Sequence, residues 1–170
     1  MIRTFALTLI GLSLLGMQSD STKHADLSGT WVMNIQKSKN LPPSFKNLKS
    51  YRMRVEDSGD SMTVYVQFEG MGQKVVLPPS VYVFDGNERY REDTARGSKR
   101  WTKSTWTTTG QKLIMTSRVI QSRPGRESRY TETDTWELTG SSTLRLHVDQ
   151  KFEGKDSTNS EIRVFRRVGK

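Results

Sequence analysis

Through most of this chain apolar and polar side chains alternate residue by residue, and that period of two constrains the fold more than any other feature. In residues 61–69, Met62, Val64, Val66 and Phe68 share one parity while Thr63, Tyr65 and Gln67 take the other. Residues 144–152 set Leu144, Leu146, Val148 and Phe152 against Arg145, His147, Asp149 and Lys151. Tyr51, Met53 and Val55 alternate in the same way with Arg52, Arg54 and Glu56. Successive side chains of a strand point to opposite faces, so each stretch reads as a strand with one buried and one wet face. A helical period runs nowhere over a useful length. The one place for a short helix is 37–49, where Pro42 and Pro43 can open a turn before Phe45.

Glycines punctuate the strands at Gly59, Gly70 with Gly72, Gly86, Gly97, Gly110, Gly125, Gly140 and Gly154, several in turn dipeptides such as Asp85-Gly86 and Pro124-Gly125. Candidate strands follow at 30–36, 50–57, 61–69, 73–77, 81–85, 98–107, 111–121, 127–138, 143–152 and 161–168. Sequential strands on short turns favour a meander, and closing it removes edges that invite aggregation. The expectation is an all-β fold, an antiparallel up-and-down β-barrel of about eight to ten strands. Strand and helix do not alternate, which argues against a parallel sheet.

The first residues predict a targeting segment. Arg3 precedes the apolar run 5–15, which is shorter than the roughly 20 residues a membrane-spanning helix needs. Residues 1–19 are therefore expected to be a signal peptide, cut somewhere between Gly16 and Ala25. Residues 20–27 are expected to form a flexible lead-in and 28–170 the barrel domain, with a periplasmic or secreted location. The chain has no cysteine, so disulfides, thiolate metal sites and cysteine nucleophiles are excluded. Its 27 Lys and Arg against 18 Asp and Glu give a net charge of +9, which favours anionic company. The basic residues are spread along the sequence, a pattern that serves solubility more simply than docking.

Catalytic and metal signatures are absent. His24 and His147 are the only histidines and have no partner at ligand spacing, so neither a metal nor another cofactor is expected. Nucleophile-elbow, zinc-protease, Walker and dinucleotide-binding patterns do not occur, and no enzyme is expected. One stretch stands apart. As a strand, 130–138 places Tyr130, Glu132, Asp134, Trp136 and Leu138 on one face, with the two carboxylates about 6.8 Å apart. If Trp136 points inward, both carboxylates do too. Basic residues of neighbouring strands can neutralise them, or a bulge at Thr133 can turn them to solvent. They can also form a polar ligand pocket, or a pair spaced for inverting glycoside hydrolysis. Tyr130, Glu132, Asp134 and Trp136 are the candidate ligand-binding residues. Trp101 and Trp106, five residues apart, should face opposite sides. Without a platform of adjacent aromatics no specific nucleic-acid binding is expected.

The stretch Leu27-Ser28-Gly29-Thr30-Trp31 resembles the opening of lipocalin-like barrels, in which Gly-x-Trp begins the first strand. Asp85-Gly86-Asn87-Glu88, the run from Trp136 to Gly140 and the terminal Val164-Phe165-Arg166-Arg167 are similar to bacterial exported lipocalin-like domains. In that family the tryptophan closes the barrel floor under a basic residue from the last strand. The resemblance implies closure by Gly29, Trp31 and Arg166, which shares parity with Ile162 and Val164; Arg167 is the reserve. Such stacking is worth about 0.5–2 kcal/mol. A barrel of this size either fills with its own side chains or holds one small ligand. Met53, Val55, Val64, Val66, Phe68, Leu113, Met115 and Leu146 would line it. The expected partner is a small hydrophobic, amphipathic or anionic ligand. The alternative is a filled barrel acting as a protein-interaction module, through the basic loop 36–49 with Phe45 exposed.

Overall fold

The structure, a computed structural model, describes residues 24–169; the expected signal peptide and residues 20–23 lie outside the described residues. Eleven strands form one antiparallel sheet. They are β1 (Gly29–Met33), β2 (Leu48–Asp57), β3 (Ser61–Gly70), β4 (Gln73–Val76), β5 (Ser80–Val83) and β6 (Arg89–Asp93). The second half of the chain supplies β7 (Ser98–Trp106), β8 (Lys112–Arg123), β9 (Arg126–Leu138), β10 (Thr143–Phe152) and β11 (Thr158–Gly169). A single helical turn, α1 (Pro43–Lys46), sits in the long loop where the prolines predicted it. The glycine breaks fall between strands, except Gly70, which is the last residue of β3. At Gly97, which closes a 3₁₀ turn with φ 61°, an added Cβ would lie 2.4 Å from the Ser122 carbonyl oxygen.

Strands neighbour one another in the order β4-β3-β2-β1-β11-β10-β9-β8-β7-β6, with β5 also on β3. The meander thus joins its first strand to its last. β4 and β5 lie along the same edge of β3, interrupted at Leu77-Pro78-Pro79, because proline has no N–H to give the ladder. Alternation did not reveal β6, whose Arg-Tyr-Arg-Glu-Asp has no apolar parity; it exists through pairing with β7. Among the described residues no ladder joins β5 to β6 or β7, so hydrogen bonds do not close the sheet. Its two ends still touch. The Gly86 amide donates to the Ser104 carbonyl at 3.1 Å, Arg91 donates to the Ser80 hydroxyl, and the Phe84 ring meets Trp106 edge-on at 5.7 Å.

One face of the sheet carries the core. Trp31, Met53, Val55, Met62, Leu113, Leu144 and Phe165 are essentially fully buried there, each side chain contributing about 1.5–3 kcal/mol. Val64, Met115 and Leu146 join them; Val66 packs half-buried against this cluster and Phe68 stacks on Tyr51. Trp106 turns to the core, whereas Trp101 faces outward between Tyr90 and Arg118.

Three expectations are corrected. Arg167, not Arg166, covers Trp31, its guanidinium 4.4 Å from the ring centre, and Arg166 is exposed. The reason is parity: buried Phe165 puts Arg163 and Arg167 on the inner face and sends Arg166 outward. Residues 24–27 are packed, not a loose lead-in. Leu27 is fully buried and accepts the Trp31 indole N–H at 3.0 Å, while His24 stacks on Trp106 at 4.3 Å. Phe45 is half-buried on Tyr51 with the Arg163 guanidinium over its ring at 4.8 Å, so it is no exposed anchor.

Candidate functional site

The inner face changes character along the strands. At the end marked by Trp31, Leu113, Trp136 and Leu144 it is dry and apolar. Toward the other end the same parity of β7, β9, β10 and β11 brings in Arg100, Glu132, Gln150, Glu161 and Arg163. β9 runs without a bulge at Thr133, which pairs with Asp149 on one side and Thr116 on the other. Tyr130, Glu132 and Asp134 therefore all face inward, and the strand's own regularity puts the charge there.

These residues line a cleft of about 340 Å³, together with Val66, Leu77, Pro78, Tyr82 and Arg100. Arg91, Asp93 and Arg96 form its rim. A second cleft of about 330 Å³ runs along the gap between β5 and β6–β7 and shares Ser80, Tyr82, Arg91 and Arg100 with the first. The site thus sits where the sheet lacks a hydrogen-bonded partner strand. Of the four residues singled out from sequence, Tyr130, Glu132 and Asp134 meet here. Trp136 does not: it lies opposite Leu113 and Leu146, buried in the apolar core.

The two carboxylates differ sharply. Glu132 accepts from Arg100 Nη1 at 2.6 Å and from Gln150 Nε2 at 2.6 Å. Burial opposes its charge, but the Arg100 guanidinium and the Gln150 amide outweigh it and hold the carboxyl below its ordinary value. Asp134 has no such support. Its Oδ1 is buried and has no hydrogen-bond partner among the described residues, although the residue is still reached from the cleft. Burial first, and then the Glu132 charge, pushes Asp134 up to about 7, against the pull of Arg163 and Arg100. Glu161 and Arg163 pair with each other on β11. Burial also raises the Tyr51, Tyr82 and Tyr130 hydroxyls.

Sequence reasoning passed over Arg100, Gln150 and Arg163. Their signal was parity: Gln150 falls between Val148 and Phe152, and Arg163 between Glu161 and Phe165, on the buried side of their strands. At the opposite end His24 Nε2 lies 2.7 Å from the Gly59 carbonyl oxygen, and His147 is exposed beside Asp149. Among the described residues no group of three His, Asp or Glu is placed to hold a metal ion. No family model matches the chain, and no curated protein matches it.

Proposed function

We propose that this chain is an exported, lipocalin-like β-barrel that binds one small amphipathic ligand at the polar end of its interior and performs no reaction. The observation that carries this reading is the cleft over Asp134. It is a concavity in which Val66, Leu77, Pro78 and the Tyr82 and Tyr130 rings form an apolar patch among a larger set of convergent polar and charged side chains, so it offers both halves of an amphipathic molecule a surface. Barrel closure is supported by the pairing of β1 with β11 and by the contacts between the free ends of the sheet. The Gly29-Thr30-Trp31 start under Arg167 supports the lipocalin-like reading. A binding role without catalysis fits Glu132, whose two oxygens are already held by Arg100 and Gln150. Both histidines lie away from the cleft.

Ser98 lines the cleft from β7, so Ser98→Trp should fill it. The neutral fluorescent probe N-phenylnaphthylamine should bind the wild-type protein in one-to-one ratio, and Ser98→Trp should weaken it by about tenfold or more. Binding unaffected by Ser98→Trp, or none to the wild type, would contradict the proposal.

A further inference from the structure

We infer that the ligand of this cleft presents a protonated amine to Asp134, an inference that rests on the ligand-binding reading above. Three carboxylates project into this part of the interior, Glu132 and Asp134 from β9 and Glu161 from β11, against two guanidiniums, Arg100 from β7 and Arg163 from β11. Arg100 takes Glu132 and Arg163 takes Glu161. Asp134 is left over. The other titratable groups around it, Tyr51 on β2, Tyr82 on β5 and Tyr130 on β9, are all raised by burial and stay neutral at physiological pH. On the rim Asp93 pairs with Arg96 at 3.7 Å and Arg91 holds the Ser80 hydroxyl.

A buried carboxylate without a partner takes up a proton or waits for a counter-charge. Below a pH near 7 Asp134 holds a proton. An ammonium group seated against the part of the Asp134 carboxyl that the cleft reaches replaces it: the proton leaves to solvent, the amine keeps its own, and an ion pair forms with no covalent change. Val66, Leu77, Pro78 and the Tyr82 ring give the rest of the molecule an apolar wall. The class is therefore a compact amine with a short alkyl or aromatic body. It is opposite in sign to the anionic partner that the chain's net charge suggests. Affinity should rise with pH across the range in which Asp134 loses its proton, centred near 7.

Three probes of equal length separate the possibilities: n-hexylammonium, n-hexanol and n-hexanoate, titrated into the full chain and followed by backbone amide shifts. Near pH 8 hexylammonium should bind about tenfold tighter than hexanol, with hexanoate weaker still. Asp134→Asn should erase the difference between amine and alcohol. The unmodified protein near pH 5.5 should bind the amine about tenfold more weakly than near pH 8, which needs no variant to fold. If hexanol perturbs the Tyr82, Arg100 and Tyr130 amides as strongly as the amine does at both pH values, the cleft binds ligands but the amine inference is wrong. If none of the three perturbs them, the ligand-binding reading falls as well.

Discussion

Gly29 stands where the first strand meets the last. Its φ is +133°, and an added Cβ would lie 2.8 Å from the Gly169 carbonyl oxygen, so only glycine lets β1 approach β11 this closely. Two residues on, Trp31 is sealed from one side by the Leu27 carbonyl and from the other by Arg167, whose Nη2 donates to the Asp26 carbonyl at 3.2 Å. Adjacent arginines at 166 and 167 therefore give a clean comparison. Arg167→Ala should lower stability by about 1–2 kcal/mol, from lost stacking and a lost hydrogen bond. Arg166→Ala, on the exposed face, should change it by less than about 0.5 kcal/mol. Urea unfolding of both variants decides the matter, and equal losses would refute the assigned parity. The pair was readable from sequence only in part. The Gly-x-Trp start located Trp31, but its covering arginine depended on which parity of β11 faces inward. Ile162 and Val164 argued for the wrong one.

That misreading belongs to a whole element. Where the interior is dry, as along the Leu144 end of β10, apolar parity and buried parity coincide and the strand is legible. Along β11 the inner face carries Glu161, Arg163, Phe165 and Arg167, so hydrophobicity no longer marks the inside. β6 shows the same limit from the outside. Its residues are nearly all exposed, and only cross-strand pairing to β7 makes it a strand. Exposed edges open most easily. Amide hydrogen exchange should find β6 at least about tenfold less protected than β8 and β9, which pair from Lys112 with Glu137 through to Arg123 with Arg126. Uniform protection across these strands would mean that the sheet closes on β6 more firmly than the hydrogen bonds indicate. The proline break after β4 leaves β5 to approach β7 alone, and the second cleft follows from that gap.

Across the whole molecule the interior grades from a packed apolar floor to a charged mouth, and the odd carboxylate sits in the zone between. The sequence made Glu132 and Asp134 conspicuous because both share parity with Trp136. It did not separate their roles, since Arg100 and Gln150 lie 32 and 18 residues from Glu132 and reach it only once β7, β9 and β10 are in register. The sign of the pH effect follows from this arrangement. A carboxyl raised in the folded state binds its proton more readily than the unfolded chain does. The fold therefore loses stability as pH climbs from near 4, where the unfolded chain already ionises this carboxyl, toward 7, and a bound ammonium offsets that cost. The most direct measurement is a carbon-13 NMR titration of the Asp134 carboxyl, with and without saturating n-hexylammonium. The account predicts a midpoint near 7 in the free protein and a clear fall when the amine is present. A midpoint near the ordinary 3.8, indifferent to the amine, would contradict it.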